Sequence, residues 1–275
     1  MLNNTDLINN FLLEQRKVDF SGYYNPLLNH QFEKRFKKTG TASCKEYYEF
    51  LRSHPEEIDK LINALIINTS FFFRDPLVFN YLSCNIFPQL ISESIKSGTQ
   101  QLRIWSAGCA EGEEPYSIAL DLIEILNRTE MKLSLSIFGT DIDETALTKA
   151  KTAVYKTESL NNVRFELLRH FTQKDDTFSL SNKIKQLVHF SRYDLMDKNS
   201  YSPPESVFGG FDIILCRNVL IYYNKKFQNR IFNKLYRSLK KNGFLILGET
   251  EIPASDFQDN FKKINDCCKI YQKIE

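Results

Sequence analysis

The spacing of apolar residues changes along the 275-residue chain, and the changes mark its parts. As far as residue 75 the apolar positions recur at helical intervals, and no strand pattern is present. Leu7, Ile8, Phe11 and Leu12 follow three capping candidates, Asn4, Thr5 and Asp6. A polar stretch containing Lys34, Arg35, Lys37 and Lys38 runs to a stop at Thr39-Gly40. Ser43 to Leu51 reads as a short helix. Ser53-His54-Pro55-Glu56 then reads as a helix start with Ser53 as cap. Behind it Ile58, Leu61, Ile62, Leu65 and Ile66 fall at i, i+3, i+4, i+7 and i+8, one face of a helix. Asp75-Pro76 opens another helix, with Leu77, Phe79, Tyr81, Leu82, Ile86, Leu90 and Ile91 on its buried side, ended by Lys96-Ser97-Gly98-Thr99.

From residue 101 short apolar runs alternate with helical patterns. Leu102–Trp105, Leu133–Gly139, Leu187–Tyr193, Phe211–Cys216 and Phe244–Leu247 read as strands. The helix after the first strand is apolar almost all round from Tyr116 to Leu126, which predicts burial. Asp143 and Asn224 are helix caps. Lys240-Lys241 and Asn242-Gly243 suit the end of the helix carrying Phe227, Ile231, Leu235 and Leu239. Phe261–Ile274 holds one or two more strands with no helix before them, so they add antiparallel near an edge. The fold class is α/β, a doubly wound, mostly parallel sheet behind a small all-helical domain. The division is 1–75 helical domain, 76–98 linker helix and 99–275 sheet domain, with residues 155–190 breaking the rhythm as an insert.

The stretch Trp105-Ser106-Ala107-Gly108-Cys109-Ala110-Glu111-Gly112-Glu113-Glu114-Pro115 joins a strand to a helix N-terminus through two glycines. α/β folds build nucleotide pockets this way. Glu113 and Glu114 would repel a phosphate. They suit a ligand with positive charge and sugar hydroxyls, which points to S-adenosylmethionine. Both also suit the positive end of a helix dipole without any ligand. Asp141 stands at the next strand end, where an acidic residue grips ribose hydroxyls; turn and capping chemistry explains Asp141 and Asp143 equally well. Asp194 and Arg217-Asn218 end two further strands on the same edge.

Composition narrows the classes. A net charge of +2 gives no reason to infer nucleic-acid binding. No apolar run is long enough to cross a bilayer, and the first residues have no signal-peptide pattern. The six cysteines form no C-x-x-C pair and match no zinc spacing, so no metal site is expected. A reduced, cytoplasmic compartment is the simplest reading.

Four motifs in order carry a resemblance over nearly the whole chain. They are Asn68, Ser70, Phe72, Phe73 and Arg74; Trp105–Cys109 with Gly112–Ser117; Thr140–Asp143; and Cys216-Arg217-Asn218-Val219-Leu220-Ile221-Tyr222-Tyr223. Together they resemble the CheR-type chemotaxis receptor methyltransferases. The resemblance implies a Rossmann-like methyltransferase sheet, S-adenosylmethionine as methyl donor, and glutamate side chains of chemoreceptor cytoplasmic domains as acceptors. It implies that Asn68, Ser70 and Arg74 reach the cofactor from the helical side. Gly108 gives it backbone room, Glu114 takes its ammonium with Glu113 alongside, and Asp141 holds the ribose. Asp194 and Leu195 flank the adenine, Arg217 and Asn218 line the methionine end, and Arg74 and Tyr222 form the transfer site. The insert matches the family's small β-subdomain; its tip, Thr172–Thr177, is short and lacks glycine. That resembles members that need no receptor pentapeptide tether. Gly248-Glu249-Thr250-Glu251 departs from the usual Gly-His-Ser-Glu. The alternative from another class is a cofactor-binding module without catalysis. A third is the same fold acting on a non-receptor acceptor.

Overall fold

The computed structural model describes residues 4–16, 18–66, 69–207 and 209–274. The chain forms two compact units, Met1–Ile67 with Leu220–Arg230, and Asn68–Val219 with Ile231–Glu275.

The first unit is helical: α1 (Asn4–Arg16), α2 (Asn25–Thr39), α3 (Cys44–Ser53) and α4 (Pro55–Leu65). The polar stretch before Gly40 is a full helix, because Leu28 and Phe32 supply a buried i, i+4 stripe and Gly40 closes it at φ +73°. Arg35 does not belong to a solvated basic face. It is fork-paired with buried Glu57 at 2.7 and 2.6 Å, and Tyr47 Oη donates to the same carboxylate. Burial and the Glu57 carboxylate push the Tyr47 phenol up to well above its ordinary value. Ser43 caps α3 as its position predicts, accepting from the Glu46 N–H. Ser53 does not cap α4: its hydroxyl donates back to the Glu49 and Phe50 carbonyls, which ends α3 instead. The same unit takes in the segment after residue 219. Tyr24 N–H donates to the Tyr222 carbonyl, Asn224 N–H donates to that of Gly22, and the Tyr23 and Tyr223 rings lie 4.9 Å apart.

The second unit opens with α5 (Pro76–Tyr81) and α6 (Phe87–Lys96), joined by a π-helical stretch, Leu82–Ile86. Pro88 has no N–H for the carbonyl four residues back, so the ladder widens before it. The α/β part follows as β1 (Gln101–Ala107), α7 (Glu113–Thr129), β2 (Ser134–Asp141) and α8 (Glu144–Thr152). The insert comes next, with β3 (Val154–Lys156), β4 (Phe171–Lys174), β5 (Thr177–Leu180) and α9 (Asn182–Lys185). The remainder is β6 (Val188–Arg192), β7 (Phe211–Cys216), α10 (Lys225–Ser238), β8 (Leu239–Leu247), β9 (Phe261–Lys263) and β10 (Ile270–Lys273).

The main sheet has the order β6-β2-β1-β7-β8-β10-β9. Its first five strands are parallel; β10 and β9 add antiparallel at one edge, as their missing crossover helix predicts. The order reverses direction at β1, between β2 and β7, which opens a crevice at the carboxyl ends of those strands. The insert is a separate three-stranded sheet, β3-β5-β4. One sequence expectation fails. Lys240–Gly243 do not end α10 but form the first half of β8, because Leu239 pairs with Phe211 across a bulged register and Asn242 takes φ +61°. Phe72 and Phe73 are buried in the core with Ile104, Ile118 and Ile213. Ser70–Arg74 lies in the same compact unit as the sheet.

Candidate functional site

The turn after β1 is built for backbone proximity. Gly108 sits at φ +76°, and a Cβ there would lie 2.4 Å from Val219 Cγ2. Gly112 sits at φ +93°, facing Ala150 and Phe190. Asp141, at the end of β2, stitches this turn together. One carboxylate oxygen accepts from the Ala110 N–H at 2.9 Å and the other from Asp143 N–H at 3.0 Å. Asp141 is buried, and that burial raises its pKa against the pull of its backbone donors. Asp143 caps α8 by accepting from Thr145 N–H.

Arg217, at the end of β7, is the hub. Its side chain is 1% exposed, and it donates to Glu114 at 3.0 Å, to the Arg74 carbonyl at 2.8 Å and to Asp75 at 2.5 Å. Phe79 lies under its guanidinium, 5.6 Å from Cζ. One buried arginine thus ties the Ser70–Arg74 stretch to the start of α7. Phe73, Asp75, Ala110 and Asn218 around it all carry positive φ, and each lies next to a hub or turn contact.

Glu114 accepts from Arg217 through one oxygen and from Ser106 Oγ at 2.7 Å through the other. Glu113 is different. It is 2% exposed, it accepts from Ser70, and its Oε2 meets no hydrogen-bond partner among the described residues. Burial raises its pKa, with Ser70 opposing. Arg74 donates to the Thr69 carbonyl at 2.9 Å and stacks over Phe71. Asp194 accepts from Met196 N–H at 2.7 Å, and Leu195 is buried. Buried Lys234 donates to the carbonyls of Asp194 and Asp197, fixing that loop from α10. Tyr222 lies in the helical unit on the 3-10 turn Leu220–Tyr222. Asn68 lies outside the described residues.

Three participants carried no signal strong enough to be singled out from sequence: Ser106, Asp75 and Glu251. Ser106 stands within a matched motif and Asp75 directly follows one, so adjacency was the available clue. Among the described residues no cluster of His, Cys, Asp and Glu could hold a metal, and Cys109 and Cys216 are buried thiols whose pKa burial raises.

A parallel sheet that switches at β1, a glycine turn, and carboxylates on three strand ends define a Rossmann-like domain for an adenosine cofactor of positive charge. Residues 68–269 match the family described as CheR methyltransferase, SAM binding domain, and residues 3–66 match CheR methyltransferase, all-alpha domain. A chemotaxis protein methyltransferase of Borreliella burgdorferi is 32% identical over 229 residues, spanning 82% of this chain and 79% of that protein. Chemotaxis protein methyltransferase 1 of Pseudomonas aeruginosa is 31% identical, spanning 86% and 85%. A chemotaxis protein methyltransferase of Vibrio parahaemolyticus is 34% identical, spanning 74% and 71%. The chain belongs to the CheR methyltransferase family and is an S-adenosylmethionine-dependent methyltransferase.

The donor set suits that cofactor. Glu113 has a buried carboxylate oxygen with no partner among the described residues, which a bound ammonium would satisfy, and the carboxylate of Asp141 can accept from ribose hydroxyls.

Proposed function

We propose that this protein methylates glutamate side chains of chemoreceptor cytoplasmic domains, giving methyl esters for chemotactic adaptation. Its membership of the CheR family, whose named relatives are chemotaxis methyltransferases, carries the reading. S-adenosylmethionine supplies a methyl group on a positively charged sulfur. The acceptor glutamate has an ordinary pKa of about 4.3, so it is already ionised at neutral pH and needs no general base. The protein's task is therefore to position and desolvate the reacting groups.

The Oε2 of Glu113, without a partner among the described residues, supports Glu113 alongside Glu114 as a partner of the cofactor ammonium. Glu114 also orients Arg217, which joins the Arg74 segment to the glycine turn. Asp141 holds the ribose, Asp194 and Leu195 flank the adenine, and Ser70, Gly108 and Asn218 border the methionine end, with Asn68 assigned there by its motif alone. Arg74 and Tyr222 orient the acceptor carboxylate.

The short turn Asp175–Asp176 between β4 and β5 supports receptor binding without a pentapeptide tether. The domain division is read as helical domain 1–67 and catalytic domain 68–275. No helix among the described residues is long and apolar enough to cross a membrane, and the reaction belongs in the cytoplasm, where receptor methylation helices lie. The test is incubation with radiolabelled S-adenosylmethionine and receptor cytoplasmic fragments. Base-labile label on the receptor, lost after Glu→Ala at the acceptor sites, is expected. Cofactor binding without transfer would overturn the reading.

A further inference from the structure

The segment after β8, Gly248-Glu249-Thr250-Glu251, folds back on itself, with Glu251 N–H donating to the Gly248 carbonyl. Glu251 is 4% exposed. Its Oε2 accepts from the N–H groups of Gly248 at 2.7 Å and Asn218 at 3.0 Å, and its Oε1 accepts from Val219 N–H at 3.0 Å. Three backbone donors thus converge on one buried carboxylate, and two of them belong to the loop that leaves β7.

That loop is strained and tightly seated. Asn218 is held at φ +57°, and its buried Oδ1 has no partner among the described residues. Val219 presses Cγ2 into the space a side chain at Gly108 would need. Gly248 is matched to the arrangement, because a Cβ there would lie 2.7 Å from Glu251 Oε2 and 2.8 Å from the Asn218 nitrogen. A left-handed asparagine persists only when its surroundings over-determine it. Here the over-determination comes from Glu251 on one side and the Gly108 turn on the other.

We propose that Glu251 is a positioning residue of the cofactor site. It acts through the Asn218 and Val219 N–H groups, holding Asn218 left-handed and Val219 seated on the Gly108 turn. The proposal rests on the reading that Gly108 and Asn218 border the cofactor. The chemistry requires a carboxylate. Glutamine at this position offers one acceptor oxygen and an NH2 group, and the NH2 would face at least one of the three N–H donors. A charge-assisted hydrogen bond is lost and a buried donor is left unsatisfied.

The experiment measures S-adenosylhomocysteine affinity by calorimetry, and KM and kcat for the cofactor, on the full chain. Glu251→Gln is expected to weaken binding roughly tenfold or more. It should raise the cofactor KM with a smaller change in the receptor KM. Val219→Ala leaves the backbone N–H contacts in place and removes only the methyl groups over Gly108; it too should weaken cofactor binding. Tyr47→Phe, which removes a buried hydrogen bond to Glu57 in the helical unit, should lower the melting temperature without moving cofactor affinity. A folded Glu251→Gln variant that binds the cofactor like wild type would overturn the proposal. Should Glu251→Gln not fold, unchanged affinity in Val219→Ala would overturn it. Wild-type protein that binds no cofactor would instead overturn the proposed function, and so the two failures are distinguishable.

Discussion

A single unpartnered oxygen separates the two neighbouring glutamates at the start of α7. Each oxygen of Glu114 accepts one hydrogen bond, from Arg217 or from Ser106, whereas Oε2 of buried Glu113 has no partner among the described residues. Burial raises the Glu113 pKa, so it takes up a proton as pH falls, before an ordinary carboxylate would. Only the ionised form attracts an ammonium. S-adenosylhomocysteine affinity should therefore fall as pH drops toward the ordinary carboxylate range, and Glu113→Gln should bind weakly and lose that contribution to the pH dependence. Calorimetric titration across the range checks both. At Gly108 two penalties combine, a left-handed backbone and the methyl of Val219 2.4 Å away. Gly108→Ala should cost about 1–2 kcal/mol from the backbone alone, and cofactor affinity should fall with it. Equilibrium unfolding and the same titration measure the two effects.

At the scale of elements, α7 does more than begin at the site. Asp121 and Glu124, one turn apart on it, hold the insert. Asp121 accepts from Arg164 at 2.6 Å and from Ser83, and Glu124 meets Arg169 at 2.5 Å and His170 at 2.8 Å. The Asp121 side chain is fully buried while Arg164 is 42% exposed, so the cost of breaking the pair falls on Asp121. Burial already raises the Asp121 pKa, with Ser83 and Arg164 opposing. Arg164→Ala should loosen the three-stranded sheet by about 1–2 kcal/mol, discounted for the arginine's exposure. Hydrogen exchange in β3, β4 and β5 should quicken by roughly tenfold, with β1 and β7 unchanged. Removing Arg217 is costlier, because its exposed fraction is 1% and it leaves Glu114 and Asp75 unpaired. Arg217→Ala should lose about 3 kcal/mol, read by denaturant unfolding, together with cofactor binding.

For the whole molecule the question is how acceptor and enzyme meet. A tether raises local concentration and can multiply apparent affinity by about a hundredfold. With the short, glycine-free turn between β4 and β5, receptors with and without their C-terminal tail should be methylated at equal rates. A tail-dependent rate would sink the tether-free reading. Of the basic group in α2, Lys34, Lys37 and Lys38 are exposed, whereas Arg35 is half-buried against Glu57.

The alternation of apolar runs determined the sheet class, and two strands without a helix before them determined the antiparallel edge. Capping chemistry at Asp143 and Asn224 was legible because it depends on neighbours two or three residues away. What sequence could not determine depended on distant partners. Leu239 is a strand residue because Phe211 lies beside it. The matched motifs named both glutamates of the opening turn, and their different hydrogen-bond surroundings are visible only in the fold. Arg217 lies 103 residues from Glu114 and 142 from Asp75, and Glu251 lies 33 from Asn218. Side-chain reach, burial and the count of satisfied oxygens are properties of the packed chain, so those assignments belong to the tertiary structure alone.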